Sequence, residues 1–169
     1  MANKMKAQNK LNVIDAKLLK TDGIFDSQIK LISENILKVI DMRALADYFR
    51  NKADMFATGE FWGKIMRASC MIYSYTQDAG LRKIIDDAAN DMISIQKEDG
   101  DLSTVPKEKQ PNGSCGSDLW ERKYALMGLL AYYEATGSAA ALNAARKLAL
   151  YTASQVGLPP KTPITQTGW

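Results

Sequence analysis

Two carboxylates and two tryptophans are the residues best suited to bind a ligand. Glu60 and Trp62 lie near the start of one apolar segment, Trp120 lies near the start of a second, and Asp99 lies in the long loop between them. A carboxylate accepts hydrogen bonds from hydroxyl groups, and tryptophan offers a flat face to the CH groups of a sugar ring while its N–H donates. We therefore predict these four side chains as ligand-binding residues.

Each of these side chains also has a purely structural interpretation. Glu60 falls in a predicted first helical turn, where a carboxylate interacts favourably with the helix dipole. Asp118 and Glu121 fall in another first turn and have the spacing of a capping box. Asp99 precedes Gly100 in a turn signal. Both tryptophans are also compatible with a place in the core.

The chain contains no histidine and only two cysteines, which limits its chemistry. The usual neutral-pH acid–base group, the commonest zinc ligand and every Ser-His or Cys-His nucleophile pair are therefore absent, and any chemistry must use carboxylates. Cys70 and Cys115 are far apart and lack CxxC spacing, so we predict no metal site and no cofactor in this chain. We expect Cys70 to be an inert core residue and Cys115 to be a free, exposed thiol.

The composition is that of an ordinary globular domain. Of 169 residues, 46% are apolar and 24% are charged, and 22 basic side chains face 19 acidic ones. A net charge of +3 gives no electrostatic reason to expect nucleic acid. The chain has no apolar run of about 18 residues and no intact signal peptide, so we expect no membrane span. A soluble protein of the cytoplasm, or of the periplasm after removal of a signal, is consistent with this pattern.

The apolar pattern predicts helices of two kinds. After a polar lead-in at 1–25, which we expect to be poorly ordered, helical periodicity runs through 26–169. Segments near 60–76 and 118–135 are apolar around most of the helix circumference, which predicts burial nearly all round. Segments near 81–96 and 142–155 carry a single apolar stripe, which predicts surface helices.

The buried and surface segments alternate with a period of about 60 residues. Such helical hairpins stack side by side, with one helix of each pair facing inward and one facing outward. We therefore predict an all-α fold that forms part of an (α/α)6 toroid. The starts of the inner helices then share one mouth, which brings together Glu60, Trp62, Asp118 and Trp120. The long loop at 97–117 also lies there, and loops of this length on a helical scaffold are usually functional.

Four strings carry a family resemblance. They are GEFWGK at 59–64, QKEDGDL at 96–102, DLWERKY at 118–124 and GLLAYYEATG at 128–137. In this order and spacing, they resemble the front part of the β-L-arabinofuranosidases of glycoside hydrolase family 127 and their uncharacterised relatives, over residues 25–168. The resemblance implies an (α/α)6 toroid followed by a β-rich region, acting on glycosides from plant cell-wall or glycoprotein sugars.

The chain also departs from the family pattern. In that family a zinc-held cysteine nucleophile and its glutamate neighbours lie beyond the matched region, so the resemblance assigns no catalytic role to Cys70 or Cys115. Leu129 stands where members with demonstrated activity carry histidine. Asp101 stands where a tyrosine is expected. These differences indicate a divergent branch.

Two functional hypotheses follow. In the first, the chain is the N-terminal part of a glycoside hydrolase and forms the wall and part of the rim of a carbohydrate site. The catalytic groups then lie outside the chain, and we expect the chain alone to be inactive. In the second, it is a non-catalytic helical-repeat module that binds proteins. A partial ring exposes the apolar edges of its terminal hairpins, so we also expect self-association through these open edges.

Overall fold

The computed structural model describes residues 14–167. Residues 1–13, about half of the predicted lead-in, lie outside the described residues. After a short 3₁₀ turn, the described chain forms six α-helices, four of them long: α1 (Gly23–Ile32, continued by a π-helical turn over Ser33–Leu37), α2 (Met42–Arg50), α3 (Thr58–Thr76), α4 (Ala79–Ile95), α5 (Asp118–Thr136) and α6 (Ala139–Gln155). Apart from one isolated bridge between Val156 and Thr162, this part of the chain contains no β-structure. The predicted all-α fold is confirmed.

Helices that lie 60 residues apart in the sequence have the same length. Helices α3 and α5 each have 19 residues, and α4 and α6 each have 17. The two outer helices begin in the same way, because Asp78 and Ser138 accept hydrogen bonds from the backbone three residues on. The two inner helices also end alike, in a left-handed residue, Gln77 or Gly137.

Helices α3 and α5 lie side by side and run in the same direction. Their starts meet where the backbone N–H of Gly59 donates to the Glu121 carboxylate at 3.1 Å. Further along, a Cβ atom added to Gly128 would lie 2.7 Å from Cζ3 of Trp62 and 3.1 Å from Cα of Gly63. The two glycines therefore permit a backbone approach that any larger residue would prevent.

The helices form two layers. Helices α2, α4 and α6 form the outer layer, and their apolar stripes pack against α3 and α5. Fully buried side chains fill the space between the layers, among them Trp62, Met66, Ile85, Met92, Leu129 and Leu148. The predicted arrangement of apolar inner helices and amphipathic outer helices is confirmed.

One expectation about α3 is wrong. We predicted burial around nearly its whole circumference, but Phe61 is 51% exposed and Met71 is 62% exposed. Both lie on the side of α3 that faces away from the outer layer, where Thr21, just before α1, donates its backbone N–H to the Tyr75 hydroxyl at 3.0 Å. In a ring of hairpins this is the side that faces the central opening.

Candidate carbohydrate site

The starts of the inner helices are joined by a contact between two of the predicted residues. The indole N–H of Trp120, in the first turn of α5, donates to the carboxylate of Glu60, in the first turn of α3. Glu60 also accepts from the ammonium of Lys64 at 3.1 Å, one turn further along α3. The bond from Trp120 follows from the parallel packing of the helices, which places residues 60 and 120 at the same level, and the bond from Lys64 follows from the four-residue spacing within α3.

Glu60 is held in its ionised form. Its side chain is only 11% exposed, and burial by itself raises the pKa of its carboxyl group. The hydrogen bonds from Trp120 and Lys64 outweigh burial, so the pKa lies below its ordinary value. An ionised carboxylate accepts hydrogen bonds and cannot donate a proton at neutral pH. Glu60 is therefore suited to orient hydroxyl groups and unsuited to act as a general acid.

Aromatic and basic side chains surround this pair on the open side of the inner helices. Trp120 and Tyr124 pack edge to face, with ring centroids 5.3 Å apart. The Lys123 ammonium lies 3.3 Å from the Trp120 centroid and 4.3 Å from that of Tyr124, and the Lys64 ammonium lies 4.9 Å from the Tyr124 centroid. We call these four residues, with Glu60, the sugar wall.

The prediction missed three members of the sugar wall. Lys64, Lys123 and Tyr124 lie three or four residues after the predicted Glu60 and Trp120, which is one helical turn. Once α3 and α5 are taken as parallel neighbours, this spacing places all five side chains on one surface. The helical period is therefore the sequence feature that could have identified these three residues.

Trp62 lies elsewhere, although it is only two residues from Glu60. Two residues rotate an α-helix by about 200°, so the Trp62 side chain points toward the core. The indole is fully buried against Gly128, and its N–H has no hydrogen-bond partner among the described residues. No face of the ring is open to a sugar. We therefore leave Trp62 out of the sugar wall.

Asp99 makes its contacts within the loop between α4 and α5. Its carboxylate binds the Lys107 ammonium at 2.5 Å and the backbone N–H of Asp101 at 3.0 Å. The Lys107 hydrogen bond is the main reason that the pKa of Asp99 lies below its ordinary value. The following residue, Gly100, packs against the backbone of outer helix α6. The structure therefore does not bring Asp99 to the sugar wall.

Asp118 and Glu121 do not form the predicted capping box. Glu121 is fully buried and accepts hydrogen bonds from Gly59 of α3, from the Ser117 hydroxyl at 2.9 Å and from the Thr104 hydroxyl. Burial raises its pKa, and these hydrogen bonds oppose the rise. The Glu121 side chain is directed into the junction between α3, α5 and the loop, so it is unavailable to cap its own helix.

Asp118 is equally buried and forms a two-pronged ion pair with Arg122. The guanidinium donates to the two carboxylate oxygens at 2.8 and 2.5 Å, and the Ser103 hydroxyl donates at 2.6 Å. Arg122 then reaches Gln110 and Gln155, at 2.9 and 2.7 Å. This network fastens the long loop to α5 and α6. Both buried carboxylates therefore act as structural anchors.

The long loop is ordered and packs over the starts of the inner helices. Leu102 and Val105 are buried, and Ser103 and Thr104 are fully buried. On its outer side, Asp54 accepts from the backbone N–H of Ser114 at 2.7 Å and from the Lys109 ammonium at 2.9 Å. The loop therefore forms a fixed rim beside the sugar wall.

Parallel apolar helices inside, amphipathic helices outside and hairpins repeated every 60 residues define an α/α-toroid protein. The family model for the β-L-arabinofuranosidase GH127 catalytic domain matches residues 8–164. The chain belongs to this family of glycoside hydrolases, and its helices form part of the (α/α)6 barrel of the GH127 domain. The family resemblance inferred from the four strings is confirmed. No protein of curated function matches the chain.

The resemblance places the zinc-held cysteine of the family beyond the matched region, and the two cysteines of this chain do not fit such a site. Cys70 is buried in α3, where burial raises the pKa of its thiol to about 12, and Cys115 is an exposed, free thiol in the loop. No group of three or more Cys, Asp or Glu side chains within residues 14–167 is arranged to hold a metal ion. We therefore assign neither cysteine a role in metal chemistry. Residues 14–167 also include no helix that is long and apolar enough to cross a membrane.

Proposed function

We propose that this chain forms one wall and part of the rim of a glycoside-binding site in a family 127 glycoside hydrolase. The observation that carries the proposal is the Trp120–Glu60 hydrogen bond across the starts of two parallel inner helices. It places an ionised carboxylate beside aromatic rings, on the side that faces the central opening. Aromatic faces stack on sugar CH groups, and carboxylates accept hydrogen bonds from sugar hydroxyls.

We further propose that the reacting groups come from sequence outside this chain. Glycoside hydrolysis normally requires two reactive groups on either side of the scissile bond, one of which must donate a proton. Asp118 and Glu121 are fully buried and bound to protein partners. Glu60 is ionised, and its two oxygens already accept hydrogen bonds from Trp120 and Lys64. We therefore expect the chain alone to hydrolyse no glycoside.

A sugar would reach the Trp120 ring by displacing Lys123. The Lys123 side chain is exposed and lies over the ring with a flexible four-carbon stem, so a modest rotation moves its ammonium off the indole face. The displaced ammonium would then donate to a ring substituent, while Glu60 would accept from a hydroxyl through its remaining lone pairs.

Titration of the ¹⁵N-labelled chain with methyl β-L-arabinofuranoside tests the proposal. We expect the indole N–H resonance of Trp120 to shift and that of buried Trp62 to stay in place. Trp120→Phe removes the hydrogen bond to Glu60. In this variant we expect the sugar to cause no shift of the Tyr124 amide resonance. Tyr133→Phe, far along the same helix, is the matched control. Shifts spread evenly over the chain, or none at saturating sugar, would contradict the proposal.

We also propose self-association through the open edge formed by α5 and α6. A largely apolar groove runs between these helices, lined by Leu119, Leu126, Leu148, Ala149 and Val156 together with the basic Arg122 and Lys123. Because Lys123 also belongs to the sugar wall, a second copy docked here would compete with a sugar for this side chain. Leu126 and Ala149 are the 60-residue equivalents of Met66 and Ala89, which are fully buried on the preceding hairpin. Sedimentation equilibrium tests this proposal, and a monomer at all concentrations would contradict it.

A further inference from the structure

The sugar wall carries more positive than negative charge. Its charged members are Glu60, Lys64 and Lys123, and Glu60 is already paired with Lys64 at 3.1 Å. No carboxylate of the described residues forms an ion pair with Lys123. Lys123 is thus the one charged member of this surface that is in no contact ion pair within residues 14–167, and its attraction to Glu60 acts at longer range.

The position of Lys123 shows what it contacts in place of a carboxylate. Its ammonium is centred 3.3 Å from the Trp120 ring centroid, with the Tyr124 ring 4.3 Å away. A cation over an aromatic face is attracted by the negative potential of the ring. The attraction of two rings therefore holds the ammonium at the place where a sugar would stack.

The charge of an incoming sugar then decides the cost of displacing Lys123. A neutral sugar that stacks on Trp120 removes the ammonium from the ring and offers only hydroxyl groups in return. An anionic sugar offers a carboxylate or sulfate to the displaced ammonium, so the lost cation–ring attraction is replaced by a charge-assisted hydrogen bond. Glu60 attracts the ammonium without a direct hydrogen bond to it, because its bonds to described side chains come from Trp120 and Lys64.

We propose that the sugar wall selects an anionic sugar residue, such as a uronic acid, with Lys123 as the residue that determines this specificity. The inference rests on the proposed carbohydrate site and adds the class of sugar that the site takes. The ring of the sugar lies on Trp120, and its anionic substituent binds the Lys123 ammonium. Lys123 therefore changes from a cover of the aromatic face in the free protein to a ligand of the substrate.

The test compares two sugars that differ only at C6. Methyl α-D-galacturonoside and methyl α-D-galactoside are titrated into the ¹⁵N-labelled full chain, with the Trp120 indole resonance as the readout. We expect the uronoside to bind about three- to fivefold more tightly, which is the size expected for a partly exposed ion pair. The preference should disappear in about 1 M salt, where screening is nearly complete at contact distances.

The variant Lys123→Met retains the length of the side chain and removes its charge. We expect it to bind the two sugars equally. Lys147→Met, which removes an exposed positive charge from α6, should retain the preference of the wild type. D-Galactose 6-sulfate separates recognition of charge from recognition of a carboxylate. Equal binding of the sulfate and the uronoside shows recognition of charge alone. Tighter binding of the uronoside shows recognition of the planar carboxylate.

The outcomes separate this inference from the proposed function. Equal binding of galactoside and galacturonoside by the wild type overturns the charge preference, although a Trp120 shift with both sugars would support a carbohydrate site. A preference that survives in Lys123→Met also overturns the assignment of Lys123. Failure of every sugar, including methyl β-L-arabinofuranoside, to shift Trp120 contradicts both proposals.

Discussion

Replacement of Gly128 by alanine tests the close packing of the inner helices. An alanine Cβ at this position would lie 2.7 Å from Cζ3 of Trp62, 3.1 Å from Cα of Gly63 and 3.3 Å from Cβ of Met66. Carbon atoms prefer separations of about 3.5 to 4.0 Å, so the new methyl group is too close by nearly 1 Å. Trp62 has no room to move, because it is fully buried.

The expected loss of stability follows from two opposing effects. Overpacking of a well-packed core costs about 3 kcal/mol, at the upper end of the usual range, because backbone and a pinned indole resist the shift. Alanine gains about 1 kcal/mol over glycine in a helix interior. The Gly128→Ala variant should therefore be about 2 kcal/mol less stable than the wild type. For a chain of this length, that corresponds to a fall in Tm of about 4 to 8 °C.

Urea unfolding followed by circular dichroism measures the change in free energy. Gly80→Ala is the matched control, because a Cβ atom there meets only the Asp78 side chain at 3.2 Å and the Lys38 side chain at 3.8 Å. We expect this control to stay within about 1 kcal/mol of the wild type, on the stabilising side. If Gly128→Ala is as stable as Gly80→Ala, the inner helices do not approach as closely as described.

Three further predictions concern single side chains. Hydrogen bonds from Lys109 and Ser114 outweigh burial and hold the Asp54 pKa at about 2, so its carboxylate stabilises the fold above about pH 4 and ceases to do so as the pH falls toward 2. Asp54→Asn should therefore cost about 1 to 2 kcal/mol at pH 7, and the difference in urea unfolding should shrink in acid. Trp120→Phe removes one of the two side-chain donors to Glu60, so a ¹³C NMR titration should show a higher Glu60 pKa; an unchanged value would contradict the hydrogen bond. In the folded protein a thiol reagent should modify Cys115 quickly and leave buried Cys70 unmodified until unfolding, so two equally fast thiols would refute the assigned burial.

The fold was predictable because the helices differ clearly in their apolar pattern. Helices α3 and α5 are apolar around most of their surface, and α4 and α6 carry one stripe, which is sufficient to assign the layers. The repeat of 60 residues then gave the order of the hairpins. The exposure of Phe61 was not predictable, because an apolar side chain toward a central opening and one toward a core look alike in sequence.

The candidate site was predictable only in part. Parallel inner helices bring Glu60 and Trp120 into contact, as the shared position of their helix starts indicated. The residue type of Trp62 suggested that a sugar ring stacks on it. Its position two residues after Glu60 instead directs its side chain to the core. The position of Asp99 depended on the path of the long loop at 97–117, and no local pattern determines where such a loop packs. Lys123 was missed although it lies one helical turn after Trp120, because residue type alone does not show that a lysine lies over a tryptophan.

The long loop that forms the rim is held more firmly on the side that faces the helices than on the side that faces solvent. This difference affects which of its residues can change in related proteins. On the side that faces the helices, the buried hydroxyl groups of Ser103 and Thr104 donate to Asp118 and Glu121. Substitution of these loop residues would therefore disturb the starts of α3 and α5 together. Toward solvent, Ser114 and Cys115 are exposed, and the segment is tethered chiefly through Asp54. Related proteins could therefore acquire different rim contours, and with them different preferences for neighbouring sugar units, by exchanging only the outward residues while the helical frame stays the same.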